Sequence, residues 1–201
     1  MTAVVFDIGN VVLRWAPERV WQGVLPSDAE IDAFLARIGF EAWNRSLDAG
    51  RDWDEAVAAL SARHPEDAPL IARFQSDWHA ALPGEMPGTR RILDALAGQG
   101  VPLHAITNYS APRWSETVVR FPFLEQRFGE IVVSGQEGVI KPDPEIFDRF
   151  LARAGAEARD CIFIDDNLVN VATAEALGFD AIRFTTAAAL SLALEDRGVL
   201  T

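Results

Sequence analysis

The stretch Ala3-Val4-Val5-Phe6-Asp7-Ile8-Gly9-Asn10-Val11 begins as a short apolar run and stops at a carboxylate. Ala3 to Phe6 show no polar alternation, the pattern of a parallel strand covered on both faces. Four later runs share it: Leu103 to Ile106, Ile131 to Val133, Cys161 to Ile164 and Ala181 to Phe184. Helical patterns separate the later ones. Ile146, Phe147, Phe150 and Leu151 form a stripe with Asp143 and Pro144 as start signals and Gly155 as a stop. Leu168 to Leu177 ends at Gly178 in the same way. Strand and helix in alternation predict an α/β fold built on a doubly wound parallel sheet.

The gap between the first and second strands is too long for one crossover helix and reads as several helices. Ser27 and Glu30 have capping-box spacing ahead of Ile31, Phe34, Leu35 and Ile38. Asp52 opens a second pattern through Trp53, Val57 and Leu60, and a third runs through Leu70, Ile71, Phe74 and Trp78. Leu82-Pro83-Gly84-Glu85-Met86-Pro87-Gly88 marks the way out. The expected organisation is a sheet domain of residues 1–14 and 86–201 carrying an inserted helical cap of residues 15–85. Trp15, Trp21, Trp43, Trp53 and Trp78 fall in or beside the cap, most of them as its core.

In such a sheet, ligands bind at the carboxyl ends of the strands. Polar residues stand at those ends here: Asp7 after the first, Thr107-Asn108 after the second, Lys141 in the loop beyond the third, and Asp165-Asp166 after the fourth. Three carboxylates in one cleft repel each other unless protonated or bound to a cation. A hard divalent ion such as Mg²⁺, completed by water and phosphate, resolves that repulsion.

In this order, each after a strand and with helices between the first two, these residues resemble the haloacid dehalogenase superfamily over nearly the whole chain. The string Phe6-Asp7-Ile8-Gly9-Asn10-Val11 is similar to a bacterial subgroup that includes α-D-glucose-1-phosphate phosphatases. The resemblance implies a Mg²⁺-dependent phosphatase acting on a small-molecule phosphate ester, a sugar phosphate by preference. Asp7 would attack phosphorus and form an aspartyl phosphate. Asp7, the carbonyl of Gly9 and Asp166 would hold the metal, with Asp165 completing or orienting that site. Thr107 and the backbone of Asn108 would bind the phosphoryl oxygens, and Lys141 would neutralise charge between Asp7 and the phosphate.

One position departs from the family. Most of its phosphatases carry a second aspartate two residues after the nucleophile, which serves the leaving group and then water; here Gly9 stands there. General acid-base help is worth on the order of 10² to 10⁴ in rate. The cap stretch from Glu41 to Gly50 falls where family caps often carry a specificity loop, so Trp43, Asn44 and Asp48 are its candidates to face substrate; the other reading of the stretch is a plain interhelical connection. Two other readings come with the resemblance. A metal-independent 2-haloacid dehalogenase would set its carboxylate substrate against Asp165 and Asp166, a repulsion of several kcal/mol in a partly dry site. A phospho-ligand-binding protein without turnover has only Gly9 in its favour.

The bulk properties narrow partners. The formal net charge of -12 and pI of about 4.6 argue against nucleic acid and anionic membranes. No apolar run approaches the roughly 18 residues that cross a bilayer, and the early interruption of the apolar residues by Asp7 leaves no secretory signal expected. The single cysteine, Cys161, lies in a strand run, as suits a reducing, cytoplasmic setting. His64, His79 and His104 lack close metal-ligand spacing. No heptad pattern demands self-association.

Overall fold

The computed structural model describes residues 2–201. Its described residues include strands β1 (Ala3–Phe6), β2 (Leu103–Thr107), β3 (Ile131–Val133), β4 (Cys161–Asp165) and β5 (Asp180–Arg183). They form one sheet in the order β3-β2-β1-β4-β5, every pair parallel. The chain leaves β1 toward β2 and β3 on one side and places β4 and β5 on the other. β1 is therefore the point at which the winding reverses, and its carboxyl end opens a crevice between β2 and β4.

The helices are α1 (Asp28–Ile38), α2 (Phe40–Asp48), α3 (Trp53–Arg63), α4 (Ala68–Ser76), α5 (Thr89–Gly98), α6 (Ala111–Arg120), α7 (Phe123–Arg127), α8 (Ser134–Glu137), α9 (Pro144–Ala154), α10 (Leu168–Ala176) and α11 (Ala187–Asp196). Their ends follow local chemistry. Ser27 Oγ accepts from the N–H of Glu30 and Asp52 Oδ1 from that of Glu55, each satisfying a first-turn donor. Asp143 and Pro144 open α9 as expected, and Gly155 closes it in the left-handed conformation. None of these helices is long and apolar enough to cross a membrane.

Alternation along β1 divides the interior in two. Val5 joins Ile106, Phe163, Phe147 and Phe150 on one face. Val4 and Phe6 face the other, where a single apolar cluster runs from the sheet into the aromatic side chains of α1 to α4. There Trp21 stacks on Phe74 with ring centroids 5.7 Å apart, and Phe40 meets Phe74 edge-on at 5.0 Å. β5 departs from expectation. It starts one residue earlier than predicted, and of its four residues only Ile182 is buried, because it is an edge strand with one neighbour.

The segment from Leu82 to Gly88 is more than a break. Met86 donates to the carbonyl of Val12, Arg14 to Gly84 and Ala16 to Ala81, at 2.8, 2.9 and 2.8 Å. The chain thus passes out to the helices and back along two hydrogen-bonded segments lying side by side.

Candidate active site

Lys141 is the hub of the crevice. It is 1% exposed, and its ammonium has three hydrogens and three acceptors. Nζ lies 2.8 Å from Asp7 Oδ1, 2.7 Å from Asp165 Oδ2 and 2.7 Å from the carbonyl of Ile106. Asn108 fixes its backbone in both directions: the Lys141 N–H donates to Asn108 Oδ1 at 2.8 Å, and Asn108 Nδ2 donates to the Lys141 carbonyl at 2.9 Å. The side chain of Asn108 is thereby committed to the lysine loop, although the residue still borders the cavity. Burial opposes the Lys141 charge, but Asp165 and Asp7 outweigh it and hold its pKa above the ordinary lysine value.

Asp165 is fully buried and saturated. Its two oxygens accept from Lys141, from Asn170 Nδ2 and from the N–H of Asn167. This side chain orients its neighbours and has little capacity left for another ligand. Asp166 is more open and borders the cavity, as does Asn10. Asn10 adopts φ 54°, a left-handed conformation that Asn tolerates, and its Oδ1 accepts from the N–H of Trp15.

Ligand oxygens of Asp7, Asp165 and Asp166 come within 4.8 Å of one another. Burial raises Asp7 to about 7; Lys141 pulls it back, and Asp165 and Asp166 push it further. Burial and Asp165 likewise raise Asp166. One ammonium does not balance this cluster, and an all-oxygen donor set short of positive charge fits a hard divalent cation. Thr107 ends β2 just behind the residues that line the cavity, and its buried Oγ1 has no hydrogen-bond partner among the described residues. Such an orphan costs about 1–3 kcal/mol.

The crevice closes into a cavity of about 200 Å³. Asp7, Gly9, Lys141 and Asp166 form its floor side, and Leu13, Leu82, Tyr109 and the indoles of Trp15, Trp53 and Trp78 form much of its wall. Asn44 and Asp48 of α2 line it. Trp43 does not. It is 4% exposed, packs on Phe40, Trp53 and Phe74, and donates its Nε1–H to the carbonyl of Ala56 at 3.1 Å. Helical spacing explains the correction: Asn44 and Asp48, four apart, share the face toward the cavity, whereas Trp43 and Leu47 share the buried one. Through Trp15, Asn44, Asp48 and Asn108 the cavity adjoins a groove of about 1030 Å³ between α1 and α2, with Leu35, Phe40 and Ala42 among its lining.

Several supporting residues were not among the sequence candidates. Ser110 Oγ accepts from Trp53 Nε1 at 2.8 Å. Ser134 Oγ accepts from the N–H of Tyr109 at 2.8 Å and donates to the carbonyl of Asp48 at 2.6 Å, linking the ends of β2 and β3 to α2. Asn170 is spaced five after Asp165, a signal that was readable once the helix start at Asn167 was placed. A lone serine after a strand carries no comparable signal.

A family model for haloacid dehalogenase-like hydrolases matches residues 1–178. The chain belongs to this family. Among its relatives is a sesquiterpene phosphatase of Aspergillus oryzae, 26% identical over 194 residues, which cover 96% of this chain and 95% of that protein. A flavin mononucleotide hydrolase of Arabidopsis thaliana is 33% identical over 114 residues, 57% of this chain and 46% of that one. A haloacid dehalogenase family enzyme of Bacteroides thetaiotaomicron, solved as a magnesium complex, shares the fold with a TM-score of 0.71 and 19% identity, covering 92% of this chain and 94% of its own. This haloacid dehalogenase-like hydrolase thus sets its polar strand ends where the family's fold opens.

Proposed function

We propose that this hydrolase is a Mg²⁺-dependent phosphatase that releases inorganic phosphate from a small phosphate monoester through an aspartyl phosphate on Asp7. The observation that carries the reading is the buried Lys141 ammonium held 2.8 Å from Asp7 with Asp166 beside the same cavity. Asp7 presents a carboxylate oxygen to phosphorus while Lys141 steadies its partner oxygen and offsets the charge of the phosphoryl group. The orphan Thr107 hydroxyl and the backbone of Asn108 receive phosphoryl oxygens. Asp7, Asp166 and the carbonyl of Gly9 would hold the ion, while Asp165 orients Lys141. Mg²⁺, when bound, supplies charge neutralisation for the phosphate and for the carboxylates around it.

The indole-rich wall favours a leaving group with an apolar face. A sugar ring meets that description while Asn44 reaches its hydroxyls, so a sugar phosphate is our first choice. The adjoining groove favours a second one, the monophosphate of an extended apolar alcohol, and a sesquiterpene phosphatase stands among the relatives. A phosphate-release screen over hexose phosphates, prenyl phosphates, flavin mononucleotide and triose phosphates, with Mg²⁺ and again in EDTA, tests both. Turnover in Mg²⁺ that stops in EDTA and in Asp7→Asn is the expected result. Release of chloride from 2-chloropropionate in EDTA, with no phosphate release from any ester, overturns it in favour of a dehalogenase.

A further inference from the structure

Three carboxyl groups border the cavity: Asp7, Asp166 and Asp48. The first two belong with Asp165 to the charged cluster. Asp48 stands apart, as the last residue of α2. Its recorded hydrogen-bond donor is neutral, Asn44 Nδ2 at 3.0 Å, and Ser110 and Trp53 border the same cavity. Its position is secured by its own carbonyl, which accepts from Ser134 Oγ at 2.6 Å, while Ser110 is itself held by Trp53. A helix end and a strand-end serine therefore fix a carboxyl group that makes no ion pair among the described residues.

Breaking a P–O bond to an ordinary alcohol requires a proton for the departing oxygen, and hydrolysing an acyl phosphate requires removal of one from water. Gly9 has no side chain to offer, the three hydrogens of Lys141 are engaged, and the amides of Asn44 and Asn108 do not titrate near neutrality. We infer that Asp48 is the proton-transferring residue of the reaction. The inference rests on the phosphatase reading above. In the first step an oxygen of Asp7 bonds to phosphorus, the P–O bond to the alcohol breaks with its electron pair on the alcohol oxygen, and that oxygen takes the proton of the Asp48 carboxyl. In the second, the Asp48 carboxylate takes a proton from water as the water oxygen bonds to phosphorus. The bond between phosphorus and Asp7 then breaks, returning its electron pair to Asp7 and leaving Asp48 protonated as at the start.

The surroundings favour that starting state. Burial raises Asp48 to about 8, Asp7 pushes the same way, and the Ser110 N–H and Arg45 oppose them. Its place at the carbonyl end of a helix also disfavours negative charge. Asp166, Lys141 and Tyr109 are the other titratable groups bordering the cavity, and burial raises the phenol of Tyr109, so it stays neutral.

The test compares Asp48→Asn with the native chain on an alkyl phosphate and on p-nitrophenyl phosphate, whose leaving group needs little protonation. Burst kinetics separate the two steps. In the variant the first step should slow by about 10² to 10⁴ on the alkyl phosphate and by far less on p-nitrophenyl phosphate. Hydrolysis of the intermediate should slow on both. Gly9→Asp placed in the Asp48→Asn chain should restore much of the lost alkyl phosphate turnover. Equal slowing of the first step on both substrates, or none on either, overturns the role of Asp48 while the phosphatase reading stands. Native protein that releases no phosphate from either ester overturns both.

Discussion

Lys141→Met removes the one ammonium between Asp7 and Asp165 and leaves two buried carboxylates facing each other without it. Breaking a buried pair from one side costs about 3–5 kcal/mol. The variant should therefore unfold at clearly lower denaturant, and it should lose phosphate release even where it stays folded. Circular dichroism in urea and a phosphate assay on the same sample check both halves. Gly9→Asp alone points the other way. A Cβ built at Gly9 meets nothing nearer than Asp7 Oδ2 at 4.0 Å, and Gly9 is not among the positive-φ residues. The backbone need not move, but a further carboxylate joins the Asp7 and Asp166 cluster, so the melting temperature should be close to native in Mg²⁺ and lowered in EDTA. The substitution should also speed hydrolysis of poor leaving groups wherever proton transfer limits the native rate, and unchanged rates on both steps would show that Asp48 already suffices.

Gly135, at the start of α8, shows how closely neighbouring elements bring the site together. A Cβ there would lie 2.6 Å from the N of Ala111 and 2.7 Å from the carbonyl of Tyr109. Both are backbone atoms, so relief requires moving either the start of α6 or the turn that holds Ser134 against Asp48. Gly135→Ala should therefore lower the melting temperature and weaken phosphate-ester binding together. A stable variant with native KM would mean that the two segments can part freely. Elements also account for what the sequence disclosed. The strands and their polar ends were legible because apolar runs and the carboxylates closing them are local, and so were the caps at Ser27, Asp52 and Asp143. Trp43 was misplaced because its neighbours Asn44 and Asp48 do face the cavity, and only the packing of α2 on α3 decides which side of the helix is buried. Ser110 and Ser134 were not visible at all, since each gains its meaning from a partner more than 50 positions away.

At the scale of the molecule, the clustered acids make stability depend on pH and on metal. A carboxyl whose pKa is raised on folding binds more protons folded than unfolded, so stability falls as pH rises between the two values. For Asp48 that window runs from 3.8 to about 8. Asp48→Asn should thus gain on the native chain across that interval, with the two most alike near pH 4 and furthest apart near pH 8. Urea titrations in EDTA measure it, and a gap that shrinks with rising pH contradicts the assignment. Mg²⁺ should raise the stability of the native chain by about 2.7 kcal/mol at a hundred times its dissociation constant, and that of Asp166→Asn by much less. The paired crossings have a consequence of another kind. Ala16 and Ala81 share a hydrogen bond of 2.8 Å, so everything between them departs from and returns to nearly one point. A loop closed in that manner can be exchanged without moving its two ends, provided the replacement keeps partners for Ser110 and Ser134. Asp7, Lys141 and Asp166 lie outside it, while Asn44, Asp48 and Trp53 lie within it. Transplanting the interval from a relative, together with the apolar seam that covers Phe6, is therefore a route to altering which alcohol departs while leaving intact the group that attacks phosphorus.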